Sequence, residues 1–155
     1  MNFRIHALPV EPFVAEFSRT DEALRERGIR RVIADDRPVY PCRVSLQDAC
    51  EGERLLLLPY LHHDVGTPYR ASGPIYVREA AMQAIPEAGD VPALLRSRLL
   101  SLRAYDACGM MAWADVLPGN ELESGIAQLF AIKRVAYLHV HYAKPGCYAC
   151  RVDRA

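Results

Sequence analysis

No stretch of this chain approaches the ~18 consecutive apolar residues of a membrane-spanning helix, which excludes a helical membrane protein. Net charge is missing as well. Nineteen basic residues balance nineteen acidic ones, so neither nucleic acid nor a membrane surface is expected as a partner through bulk electrostatics. The first residues, Met1-Asn2-Phe3-Arg4-Ile5-His6, lack a basic region followed by an apolar run, so no secretory signal is expected. The five cysteines are odd in number and irregularly spaced, unlike a secreted disulfide framework. Reduced thiols in a cytoplasmic protein are the expectation. Low-complexity segments and long repeats are also lacking.

What is present reads as one globular domain spanning 1–155, long enough to bury roughly two-thirds of its unfolded surface. Phe3–Ala7 alternates as an opening strand. Thr20 caps a helix over Asp21–Arg27, with Asp21 and Glu22 set against the helix dipole and Gly28 ending it. Ile29–Ala34 is a strand candidate, and Val39–Val44 carries Pro41, which suits only an edge or a bulge. Arg54–Tyr60 contains Leu55-Leu56-Leu57-Leu58, an apolar run bounded by Gly52 and Pro59, and predicts a central strand covered on both faces. Leu61–Ser72 reads as a polar loop containing His62-His63. Ile75–Arg78 is a strand, and Pro92 opens a short helix through Arg98 at its first position. Leu99–Asp106 and Met110–Leu117 flank Ala107-Cys108-Gly109 as a hairpin. Asn120 and Glu123 frame a helix over Glu121–Ile132. The class is α+β, a largely antiparallel mixed sheet of about six to eight strands with two to four short helices packed on it.

The chain closes on a second hairpin, Val135–His141 and Cys147–Val152. Alternation puts Ala136, Leu138 and Val140 on one face and Tyr137, His139 and His141 on the other. A Pro145-Gly146 turn places His141 opposite Cys150, and a longer loop places it opposite Cys147. Both registers set an imidazole across from a thiol.

Four blocks in order carry a resemblance over essentially the whole chain. They are Pro41-Cys42-Arg43-Val44-Ser45-Leu46, Pro68–Val77, Leu95–Leu100, and His139-Val140-His141 with Gly146-Cys147-Tyr148. Together they resemble a bacterial family of uncharacterised proteins, domain-of-unknown-function family 1203. The resemblance implies a single domain and supplies no activity.

The residues themselves suggest three functions. The leading expectation is a small anionic metabolite bound, or acted on, in a pocket near the last hairpin. There His139, His141 and Cys147 are the catalytic candidates, with the thiol as nucleophile and imidazole as base. Tyr69, Arg70 and Ser72 would bind the anion, with Arg103 as a second guanidinium contact. A rival expectation is a non-catalytic interaction module, dimerising through an exposed face of Tyr137, His139 and His141. Zinc on His139 and His141, with Cys147 or a loop histidine as a third ligand, ranks third, because a tetrahedral structural site wants four converging ligands. No metal ligand or cofactor is assigned on this reading.

Overall fold

A computed structural model describes residues 2–155. Among these residues, eight strands form two antiparallel sheets rather than one. The larger sheet has the order β1-β8-β7-β5-β6, from Phe3–His6 (β1), Leu99–Tyr105 (β5), Met111–Pro118 (β6), Tyr137–Tyr142 (β7) and Tyr148–Arg154 (β8). The smaller sheet runs β2-β3-β4, from Arg30–Ile33 (β2), Arg54–His63 (β3) and Ala71–Arg78 (β4). Four short helices are Glu11–Phe17 (α1), Asp21–Glu26 (α2), Ala93–Arg96 (α3) and Leu122–Ala131 (α4). The architecture is α+β.

Alternation along β7 and β5 decides the core. Leu138 and Val140 meet Ala104 and Leu102 across the ladder. That face is closed by α3 and α4 through Leu95, Leu122, Ile126 and Phe130, all nearly without solvent contact. Helix α4 comes close to the sheet at Gly125, where a Cβ would fall 2.3 Å from Leu117. A second core lies under the small sheet, built from Phe13, Leu24, Ile29, Leu56, Leu58, Ile75 and Val77. Tyr148 of β8 is buried in that second core, so one strand of the large sheet ties the two sheets together.

Thr20 caps α2 as expected, accepting from the Ala23 amide at 3.2 Å, and Gly28 follows with φ 72°. Pro92 sits one place earlier than expected, as the residue preceding α3. Asn120 lies within a 3-10 turn, Gly119–Glu121, and Glu121 precedes α4 without a side-chain cap. The 39–44 segment is not a strand. It makes isolated bridges, Pro41 with Asp48 and Cys42 with Tyr76, around a tight turn in which buried Leu46 takes φ 50°. A bulky side chain in the left-handed region costs on the order of 1–3 kcal/mol. The turn is held by the Leu46 amide on Cys42 O and by two backbone amides, Ser45 and Arg78, on Cys42 Sγ.

The largest departure from the sequence reading lies in β3. The strand runs three residues past its expected end at Tyr60. Within it Pro59 pairs with Pro74 of β4, while β2 reaches only from Arg30 opposite Leu57 to Ile33 opposite Arg54. Beyond Leu57, β3 has an open edge on that side, and a proline without an N–H is tolerated there. The strand therefore continues to His63 and carries the His62-His63 pair that the sequence assigns to a loop.

Candidate metal centre

The face of β7 opposite the main core carries Tyr137, His139 and His141, and alternation puts all three there as the sequence predicts. The face is not exposed, as the dimer expectation required. Tyr137 is 8%, His139 2% and His141 0% exposed. The end of β3 covers it. Between Leu61, paired with Ser72, and His63, paired with Ala71, the register slips, leaving His62 as the extra residue of a bulge. Bulges redirect a side chain from its alternating position. Here the His62 ring comes 5.1 Å from that of His141 and 6.0 Å from that of His139.

One ring nitrogen from each of His62, His139 and His141 lies within 4.8 Å of the other two. Buried His62 Nδ1, His139 Nδ1 and His141 Nε2 have no hydrogen-bond partner among the described residues. A buried polar atom left unpaired costs about 1–3 kcal/mol, so three in one cluster need an account. His141 is oriented by its other nitrogen: Nδ1 sits 3.0 Å from Gly146 O. A carbonyl can only accept, so Nδ1 carries the proton and Nε2 presents a bare lone pair. Metal-bound histidines are commonly held this way by a backbone carbonyl.

Electrostatics keep the rings neutral. Burial pulls the His139 pKa down to about 2, helped by the neighbouring imidazoles of His63, His141 and His62. Burial also brings His141 down to about 3, although its bond to Gly146 opposes the shift. His62, less covered, falls to about 4 through burial, the Arg103 charge and His63. A neutral imidazole is the form that ligates metal.

His63 plays a different part. Its Nδ1 donates to Tyr69 O at 2.7 Å, and its Nε2 accepts from the Tyr137 hydroxyl at 2.7 Å. With both nitrogens engaged, His63 buttresses the cluster and has no lone pair to offer.

The structure brings together His139, His141 and Arg103 from the expected site residues. Arg103 is paired with His139 across β5 and β7, and its charge is felt by both His62 and His141. It forms no ion pair with a carboxylate among the described residues. Its partner is Tyr105, packed on the His63 and His139 rings at 4.1 and 5.2 Å. Tyr69 contributes its carbonyl to His63, and its 37% exposed ring reaches Tyr105.

The other expected residues stand apart from this arrangement. Arg70 is exposed and pairs with Asp64 at 3.1 Å. Ser72 is exposed on β4. Cys147 is across from neither histidine. A bulge at Ala149 sets His141 opposite Tyr148 and Val140 opposite Cys150, while the Cys147 carbonyl accepts from the Tyr142 amide. Neither sequence register anticipated that extra residue, so the expected imidazole–thiol pair is not formed. Cys147 lines a separate cavity with Tyr142. His62 is open in the sequence only as an unnamed loop histidine beside the zinc pair. Its signal is the His-His dipeptide directly after the apolar strand.

The family model described as a protein of unknown function, DUF1203, matches residues 39–154. That span includes all three clustered histidines, His63, Arg103 and the whole closing hairpin. Neither the curated proteins nor the solved structures hold a match to this chain. Three-quarters of the chain falls within the match, and the chain belongs to the DUF1203 family of proteins of unknown function.

Proposed function

We propose that this protein binds a divalent transition metal of the zinc type on His62, His139 and His141, and a small anion beside it. The observation carrying this reading is the convergence of three neutral imidazoles whose buried nitrogens lack protein partners. Three protein ligands and an open fourth position are what catalytic zinc sites use, whereas structural sites are closed by a fourth side chain. Zinc–nitrogen bonds of about 2.0–2.1 Å put tetrahedral ligand nitrogens roughly 3.4 Å apart. The three nitrogens, within 4.8 Å of one another, would have to draw in by up to about 1.4 Å to reach that spacing. Arg103 supports the anionic half of the reading. An unneutralised guanidinium beside the open position suits a carboxylate or phosphate and favours ionisation of a metal-bound water. Metal-activated water attacking a small anionic substrate is the reaction class that fits these groups.

Cobalt(II) titration of chelator-treated protein, purified without an affinity tag, tests the metal. The expected result is one equivalent bound with the intense visible bands of a four-coordinate ion. These bands are lost in His139→Asn and in His141→Gln and retained in His6→Ala. A featureless titration in the parent protein would refute the reading.

Homodimerisation remains a second reading, moved to another surface. Edge strand β6 exposes Trp113 and Val116 at 57% and 55%. Trp113→Glu should shift the mass measured by light scattering if that edge is an interface, and leave it unchanged otherwise.

A further inference from the structure

A second cationic site lies beside the turn of the closing hairpin, where Tyr142, Lys144 and Cys147 meet Leu57 and Tyr76 of the small sheet. The turn at 41–46 drives Arg43 into the protein, where the residue is only 2% exposed. Its Nε donates to Tyr148 O at 2.7 Å and its Nη1 to Pro41 O at 2.5 Å. Nη2 makes no hydrogen bond and no carboxylate pairs with the guanidinium among the described residues. Taking such a charge out of water costs several kcal/mol unless a partner compensates, and burial indeed lowers the Arg43 pKa. Two carbonyls and the Tyr142 ring, 5.0 Å from Cζ, leave the charge itself unmatched.

Arg43 lines a cavity of about 570 Å³, a size that suits a small metabolite. Arg98 and Lys144 line it too, and no acidic residue does. Arg98 is already balanced by both oxygens of Asp48, at 2.7 and 2.9 Å. Tyr142 also lines the cavity, and its buried hydroxyl has no partner among the described residues. The remaining walls are mostly apolar, including Val39, Leu57 and Leu99. We infer that this cavity is a binding site for a carboxylate with an apolar body, its anionic head on Arg43 and the Tyr142 hydroxyl. The head supplies the missing counter-charge, and the body takes the apolar walls. This site shares no residue with the histidine cluster and does not depend on the metal reading.

Isothermal titration of the full, chelator-treated chain with a series of carboxylates from acetate to 3-phenylpropionate, and with 3-phenylpropionamide, tests it. The expected result is saturable 1:1 binding that strengthens with the apolar body, with the amide at least tenfold weaker. Arg43→Lys should weaken binding at least tenfold. Because Arg43 also holds two carbonyls, Leu99→Glu provides the second test. Leu99 is 45% exposed, so the new carboxylate enters the cavity lining without disturbing the core. Carboxylate binding at least tenfold weaker, at unchanged thermal midpoint, supports the site. Equal binding of acid and amide, no saturable binding by any carboxylate, or undiminished affinity in Leu99→Glu would overturn it.

Discussion

The imidazole of His62 lies flat against the ring of Tyr148, with centroids 5.1 Å apart and planes 9° from parallel. His62 comes from the small sheet and Tyr148 from the large one, so the stack sits at the seam between them. It also aims His62 at His141. Tyr148→Ala is therefore expected to act twice. Losing a buried aromatic costs roughly 3–5 kcal/mol, measurable by urea unfolding, and zinc affinity should fall because His62 loses its support. Tyr148→Phe keeps the ring, and its zinc affinity should stay within about threefold of the parent.

His63 gives a contrasting prediction. It joins Tyr69 O to the Tyr137 hydroxyl and is not a ligand. His63→Leu should cost about 1–3 kcal/mol by leaving the Tyr137 hydroxyl buried and unpaired. Metal stoichiometry, read by elemental analysis, should stay at one per chain. A drop to zero in a folded variant would place His63 among the ligands.

Acid should weaken the metal-free protein at an unusually high pH. His139 and His141 are neutral in the fold, with pKa values near 2 and 3, but titrate near 6.5 once unfolded. Below pH 6.5 the unfolded chain binds more protons, so stability falls as pH falls. Each buried ring contributes about 1.4 kcal/mol per pH unit until its folded pKa is reached. Above that window the two rings add no pH dependence. Thermal midpoints recorded from pH 8 to pH 4 should be flat at first and then decline steeply. His62, with its folded pKa at about 4, contributes over the same window, so replacing His139 and His141 should remove about two-thirds of the histidine slope.

Gly119 tests the packing of α3 against the start of α4. A Cβ built there falls 1.9 Å from the Leu95 carbonyl oxygen, and backbone cannot swing aside. Gly119→Ala should cost at or above the ~3 kcal/mol upper range of overpacking, visible as a lowered denaturant midpoint.

Much of this was legible in the chain. Hairpins bracketed by turn residues read correctly, as at Ala107-Cys108-Gly109, because local chemistry dominates there. The shared face of His139 and His141 followed from strict alternation. Bulges break that alternation without leaving a compositional mark. One at His62 brings in the third histidine, and another at Ala149 replaces the expected thiol with Tyr148 opposite His141. The expected strand end at Tyr60 fell short of His63 because the residues that follow are polar and turn-rich, and nothing in their composition announces that they pair with β4. Arg70 looked like an anion contact by its company in sequence, yet its partner is Asp64. The buried arginine, Arg43, depends on a tertiary turn that no periodicity announces.

X-ray absorption at the zinc edge, on protein loaded with one equivalent, reads the ligand set itself. The expected spectrum shows a first shell of three imidazole nitrogens and one additional light atom at about 2.0 Å, with the imidazole multiple-scattering pattern reduced in His62→Ala. A sulfur scatterer near 2.3 Å, a six-oxygen shell, or a spectrum unchanged by His62→Ala would contradict it.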